Sequence, residues 1–319
     1  LINAGFEINQ AAKKIFETHK TEHKEEFIKP EGFSAMTTPY FPPRISYNEN
    51  ELNKIIASSD LGIITIGRNS GEGGDRVEKD DFLLSEKEQS MMANVCKAFH
   101  KAGKKVIVVM NIGGVIETVS WKSKPDAILL AWQGGQEGGN SVADILSGKV
   151  NPSGKLPMTF PVNMNDHASS ANFPLEGGTM DIMKMVFATR EEKPENEKVK
   201  NKDYTYYEEG IYVGYRHFDK AELDVSYPFG FGLSYTTFDL SDFNVTLQDD
   251  TIEVKVTVTN SGSLAGKEVL QVYTSKPETN IDRPLKELRT FTKTKNLKPE
   301  EAATVNFKIP VSELSYWSE

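Results

Sequence analysis

Asp60-Leu-Gly-Ile-Ile-Thr-Ile-Gly67 is a short, mostly apolar run that ends in glycine, and Lys105-Val-Ile-Val-Val-Met-Asn111 and Ala127-Ile-Leu-Leu-Ala-Trp132 are two more of the same kind. Runs of this length with apolar residues on both sides read as strands buried on both faces. Between the first two, Ser85-Glu-Lys-Glu88 has the spacing of a capping box, an N-cap serine with an acid three residues later. The helix it opens carries Met92, Val95, Cys96 and Phe99 on one face and is expected to end near Gly103. Asn140–Gly148 reads as a short helix between glycines. Buried strands separated by helices predict a largely parallel sheet covered by helices. This α/β domain is placed at residues 1–165. Near its start, Ala11, Ala12, Ile15 and Phe16 fall at helical spacing, and Pro39, Pro42 and Pro43 predict an extended connector.

Residues 166–235 differ in character. Ala188–Asp203 is rich in Glu, Lys and Asn and reads as a solvated loop, Tyr204–Tyr215 as an extended tyrosine-rich segment, and Tyr227–Tyr235 as a turn-dense aromatic one. From 236 to 319 the period becomes two. Thr251-Ile-Glu-Val-Lys-Val-Thr-Val-Thr259 alternates apolar and polar throughout, as do Glu268–Thr274 and Ala303–Ile309, with turns at Asn260-Ser-Gly262 and Asn296–Glu300. Short alternating strands with turns between them predict a β-sandwich. The fold class is therefore α/β plus all-β. Only about five strands are expected before Glu319, so the sandwich is expected to be truncated.

The 319 residues make about two domains at roughly 150 residues each. A composition of 38% hydrophobic and 26% charged residues suits globular cores. With a formal charge of −9 the chain is a poor phosphate-backbone binder, so no nucleic-acid partner is expected. No apolar run is long enough for a membrane span. The single cysteine, Cys96, makes no internal disulfide and no metal cluster. Leu1 is not methionine and the first residues lack the regions of a signal peptide, so the chain is expected to be an internal piece of a longer polypeptide.

The most informative segment is Gly67-Arg-Asn-Ser-Gly-Glu-Gly-Gly-Asp-Arg76. A phosphate loop is one reading, but Arg76 stands where the third glycine belongs and the central carboxylate repels an anion. A structural reading pairs Asp75 with Arg76 to fix a turn and leaves Glu72 solvated. A catalytic reading notes that Glu72 lies among glycines at the C-terminal end of a strand, where open α/β sheets present their sites. Glycine on both sides permits close approach to another surface, and desolvation there would raise the carboxyl pKa enough for a general acid.

Ser70-Gly-Glu-Gly-Gly-Asp-Arg76 resembles the acid/base loop of glycoside hydrolase family 3, the β-glucosidase-like family. Asn111-Ile-Gly-Gly114, Ala131-Trp-Gln-Gly-Gly-Gln-Glu-Gly138 and Leu146–Pro161 resemble that family's second, α/β sandwich domain. Tyr207–Arg216 and Tyr227–Tyr235 resemble its approach to a fibronectin type III-like domain, and Gly266–Tyr273 fits that sandwich. The resemblance implies an exo-acting retaining β-glycosidase. It makes Glu72 the general acid/base and puts the nucleophilic aspartate on an N-terminal (β/α)₈ barrel that this chain does not contain. Asn3-Ala-Gly-Phe6 resembles a segment inside the α/β domain, so its first strand is expected to be missing. Asp75 and Arg76 are assigned to structuring the loop, and Arg68 to the rim of the sugar site. The implied substrate is a β-glucoside or short β-linked oligosaccharide, with no cofactor and no metal. The competing readings are a non-catalytic carbohydrate-binding or structural module, or a β-xylosidase of the same family.

Other features read more simply. His19 and His23 stand four apart, but two ligands make a weak metal site. His100, His167 and His217 show no ligand spacing. Trp132 reads as core, Gln133, Gln136 and Glu137 as partners of buried backbone groups near the sheet end or as contacts to the missing barrel, and Asn244-Val-Thr246 as a chance sequon.

Overall fold

The computed structural model describes residues 1–32, 43, 45–68, 76–171, 207–275 and 280–316. The chain divides into two compact units, Leu1–Ala143 with Phe160–Glu208, and Asp144–Thr159 with Glu209–Glu319.

The first unit is built on a parallel sheet of β1 (Leu61–Gly67), β2 (Lys105–Asn111) and β3 (Ala127–Leu130), in the order β1-β2-β3. The register sets Ile64 beside Val108 and Ile66 beside Met110. Helix α1 (Gln10–Glu22) precedes α2 (Glu49–Ala57), and α3 (Glu86–Lys101) joins β1 to β2. Asn9 caps α1 and its amide also reaches the Ile55 carbonyl at the end of α2, 3.0 Å away. Alternation explains the packing: Ile64, Ile66, Val106 and Val108 are buried with Met92, Val95, Cys96 and Phe99 of α3 and with Leu52, Ile55 and Ile56 of α2. The other face of β1 is more open than its composition predicts, because Thr65 interrupts the apolar run and is exposed. Helix α4 (Gly138–Leu146) follows β3. No helix among the described residues is long and apolar enough to cross a membrane.

In the second unit a short helix, α5 (Tyr215–Lys220), precedes five strands: β4 (Phe238–Gln248), β5 (Thr251–Asn260), β6 (Val269–Ser275), β7 (Lys286–Lys293) and β8 (Ala302–Pro310). They form two antiparallel sheets, β8-β5-β4 and β6-β7. The period-two pattern puts Val254, Val256 and Val258 inward against Leu270, Leu297 and Phe307, which is a sandwich core.

The expectation of an extended segment through Tyr215 fails for its described part. Turns occupy Glu208–Ile211. Gly210 and Gly214 both have positive φ, and Gly214 caps α5, so the glycines turn the chain and the tyrosines do not extend it. The loop Ala188–Asp203 lies outside the described residues, as do Pro39 and Pro42.

Candidate active site

Strand β1 ends at Gly67, and the next residue, Arg68, continues the pairing: its amide donates to the Asn111 carbonyl at 3.1 Å. The Arg68 side chain then turns inward. Its Nη1 and Nη2 donate to Glu88 Oε1 and Oε2 at 2.9 and 2.8 Å, a bidentate pair in which both side chains are 1% exposed. Its Nε donates to the Asp81 carbonyl at 2.7 Å and Nη1 also to the Gly67 carbonyl at 2.8 Å. Glu88 is at the same time the acid of the capping box that opens α3: the Ser85 amide donates to Oε2 at 3.0 Å, and Ser85 Oγ accepts from the Glu88 amide. A planar fork of donors facing a carboxylate is the arrangement arginine is built for.

Asp81 joins this pair to the far end of the loop. Arg76 Nη1 donates to Asp81 Oδ1, the Val77 amide donates to Oδ2 at 3.2 Å, and Arg68 Nε lies 3.7 Å from Oδ1. Burial pulls the Arg76 pKa down from its ordinary value, and the charge of Arg68 adds to this, while Asp81 works against both. The turn from Arg76 to Asp81 closes with the Phe82 amide on the Val77 carbonyl, 2.9 Å, and Asp80 in the left-handed region.

The loops after β2 and β3 share this edge of the sheet. A Cβ at Gly114 would stand 3.4 Å from Arg76 Nη2, and one at Gly113 would stand 2.7 Å from Gln133 Nε2. The Asn111-Ile-Gly-Gly114 sequence therefore leaves room for both side chains. The carboxyl ends of three parallel strands converge here, which is where open α/β sheets carry their sites.

Glu72, the expected acid/base, and Asp75 lie outside the described residues, 69–75. Arg76, expected to structure the loop, has Asp81 as its carboxylate partner. Arg68, expected at the rim of a sugar site, is instead committed to Glu88, Asp81 and Gly67, because a buried guanidinium is stable only with its donors met. Asp81 was not singled out from the sequence. Its signal would have been a carboxylate shortly after two loop arginines, and charge alone does not say which pairs form. From its spacing after Ser85, Glu88 reads as a capping acid only. Gln133, Gln136 and Glu137, expected to partner buried backbone groups, are all exposed, and Glu137 Oε2 accepts from the Asn140 side chain at 2.6 Å. Trp132 is half-buried beside Phe160, with ring centres 6.1 Å apart.

His19 and His23 stack at 4.4 Å, and His23 Nδ1 lies 3.1 Å from Glu26 Oε1. Among the described residues His23, Glu25 and Glu26 are the one group with ligand atoms close enough to share an ion, and the two glutamates are exposed.

Residues 6–235 match the glycosyl hydrolase family 3 C-terminal domain, and residues 268–319 match the fibronectin type III-like domain. Beta-glucosidase A of Butyrivibrio fibrisolvens is 36% identical over 315 residues, spanning 85% of this chain and 34% of its own. A beta-glucosidase of Ruminococcus albus is 31% identical over 322 residues, covering 100% of this chain and 30% of its own. The structure of beta-glucosidase 3B from Thermotoga neapolitana in complex with glucose superposes with a TM-score of 0.82 at 39% identity, over 99% of this chain and 41% of that one. The chain thus spans about a third of the length of the curated relatives it matches. The match over residues 6–235, well over half of the chain, shows that the chain belongs to glycosyl hydrolase family 3, with that family's C-terminal domain followed by a fibronectin type III-like domain.

Proposed function

We propose that this chain is the C-terminal part of an exo-acting, retaining β-glucosidase-like enzyme and supplies Glu72 as its general acid/base. The nucleophile is an aspartate on a (β/α)₈ barrel outside the chain, and the substrate is a β-glucoside or short β-linked oligosaccharide. One observation supports this most: the residues four positions either side of Glu72, Arg68 and Arg76, are both tied to Asp81 at the carboxyl edge of the parallel sheet.

In a retaining enzyme the two carboxyl groups stand about 5–5.5 Å apart. One attacks the anomeric carbon while the other protonates the departing oxygen. The same group then takes a proton from water, and that water releases the glycosyl-enzyme. Glu72 must therefore hold its proton near neutral pH although a free glutamate titrates near 4.3. Desolvation against the barrel and the negative charge of the nucleophile both raise its pKa. No metal or cofactor takes part in this chemistry.

The test is Glu72→Gln in the enzyme assembled with a family 3 barrel. Cleavage of glucosides with poor leaving groups is expected to collapse, whereas activated aryl glucosides, which need little protonation, are spared at the first step. Equal losses for both substrate types would remove Glu72 from the role. Failure of any barrel to restore hydrolysis, with sugar binding by the chain alone, would favour a binding module.

A further inference from the structure

One charged cluster of the second unit carries more arginine than it pairs. Three guanidiniums gather on one carboxylate, that of Glu287 on β7. Arg283 Nη2 donates to Glu287 Oε2 at 2.8 Å, Arg289 Nη2 donates to the same oxygen at 2.7 Å, and Arg216 Nη2 of α5 stands 3.7 Å from Oε1. We propose that this cluster binds a phosphate dianion, at a site made only of residues of the second unit and independent of the assignment of Glu72.

The three arginines are not used alike. Arg289 is spent on the fold: its Nε donates to Thr274 Oγ1 and its Nη1 to the Glu313 carbonyl, both at 2.9 Å. Arg283 gives one hydrogen bond among the described residues, the one to Glu287, and its guanidinium carbon lies 4.6 Å from the centre of the Tyr316 ring. Arg216 makes no hydrogen bond among the described residues, because 3.7 Å is beyond hydrogen-bond reach, and its side chain is 34% exposed. A guanidinium has five N–H donors in a rigid fork. Arg216 and Arg283 therefore hold most of theirs in reserve, and Arg216 presents its own to solvent.

Charge selects the occupant. On α5 and from Asp282 to Arg289 the lysines cancel: Lys286 Nζ lies 3.1 Å from Asp219 Oδ2, and Lys220 Nζ 2.6 Å from Asp282 Oδ1. What remains there is three guanidiniums against one carboxylate, a surplus of two positive charges on a chain whose formal charge is −9. The Arg283 and Arg289 side chains are 13% and 15% exposed, so water screens them less than it does a surface charge. Like charges held together in this way repel unless an anion joins them. A neutral sugar leaves the surplus unmet and a cation adds to it. A single carboxylate meets half of it. A phosphate dianion meets all of it, and its tetrahedral oxygens accept from two forks at once, where a planar carboxylate is matched by one.

The same group is offered by inorganic phosphate and by a phosphate monoester. The experiment titrates the 319-residue chain with inorganic phosphate and with glucose 6-phosphate by calorimetry, in chloride at constant ionic strength and about pH 8, where phosphate groups are dianionic. Saturable binding of both is expected. Equal affinity assigns the site to inorganic phosphate, and tighter binding of the ester assigns it to a sugar phosphate. Arg216→Gln should weaken binding about tenfold, the loss of one charge-assisted hydrogen bond. Arg216→Lys, which keeps the charge without the fork, should weaken it less, and Arg283→Gln should weaken it as well. Lys255→Gln, which removes an equal charge from the exposed surface of β5, and Glu72→Gln should leave it unchanged. No saturable binding to the wild-type chain at millimolar phosphate would overturn the proposal. So would binding that survives both arginine-to-glutamine variants, an equal loss in Lys255→Gln, or glucuronate bound as tightly as phosphate. None of these outcomes bears on hydrolysis, which is measured with the barrel present.

Discussion

Replacing Glu88 with glutamine tests the buried ion cluster most directly. Glu88 and Arg68 are each 1% exposed, and the carboxylate accepts two bonds from the guanidinium and two from Ser85. Glutamine keeps the shape but turns an NH₂ toward Arg68 and leaves the buried guanidinium only the longer, 3.7 Å pairing with Asp81. Breaking a buried pair from one side costs about 3–5 kcal/mol. The weakened capping box adds a few tenths to about 1 kcal/mol. Against a domain stability of about 5–15 kcal/mol this is roughly a fifth or more. Replacing both partners, Arg68→Met with Glu88→Leu, removes the stranded charge, and apolar replacements of such pairs are neutral or stabilising in other proteins. The double variant is therefore expected to be more stable than Glu88→Gln alone. Because the chain has two units, a single unfolding free energy is ill-defined. The measurement is residue-resolved hydrogen exchange of β1, α3 and β2 amides over a denaturant series. A loss below about 1 kcal/mol, typical of a surface pair, would refute the reasoning. So would a double variant as unstable as the single one, since the cost would then not come from buried charge.

Three further outcomes are expected. Asp126 is held far below the usual carboxylate range, first by Lys105 Nζ at 2.7 Å, then by the Val106 amide and His100. A depressed folded pKa stabilises above the unfolded value and is lost as pH falls, so Asp126→Asn should destabilise the first unit at pH 7 and the gap should shrink below about pH 4; a gap independent of pH in thermal melts would exclude this. Asn260 is fully buried, accepts from Thr236 Oγ1 and the Gly262 amide, and donates to the Leu264 and Leu297 carbonyls; Asn260→Ala should cost the sandwich about 3 kcal/mol in urea unfolding, from four bonds of about 1 kcal/mol each and partial relaxation. A Cβ at Gly62 would press within 3.2 Å of the buried Phe99 ring, whereas one at Gly113 meets only the exposed, flexible Gln133; Gly62→Ala should cost about 1–3 kcal/mol by overpacking and Gly113→Ala much less, as paired melting curves would show.

What the sequence made legible was local. The apolar run Asp60–Gly67 became β1 one residue shorter, Lys105–Asn111 became β2 at those bounds, and Ser85 with Glu88 became the cap of α3. Helix α2 announces itself in the same way, with Asn48 and Glu51 forming a capping box ahead of Leu52, Ile55 and Ile56, a signal that the proline-rich approach obscures. Strand β4 is harder to see. A register shift between Ser241 and Asn244, with Asp242 at positive φ, puts the alternation of Phe238 and Leu240 out of step with that of Val245 and Leu247. The ion cluster was not legible, because Arg68, Asp81 and Glu88 are 13 and 20 residues apart in pairing and many other charges lie between them. The arginine cluster in the second unit brings Arg216 to Glu287, and no spacing rule spans such a distance.

The pairing of the two arginines bears on the proposed acid through its charge. A guanidinium near a carboxyl favours the ionised form and lowers its pKa, which is the wrong direction for a group that must deliver a proton. Arg68 and Arg76 stand four residues before and four after Glu72, so unpaired they would oppose the role. Each instead faces a carboxylate of its own, Glu88 and Asp81, and the four charges sum to zero. An ion cluster so balanced fixes both ends of the stretch while leaving little net field beyond it. In the proposed role, desolvation and the nucleophile outside this chain are what would raise the Glu72 pKa, and the pH limit of the acid step would belong to the assembled enzyme and not to this chain alone.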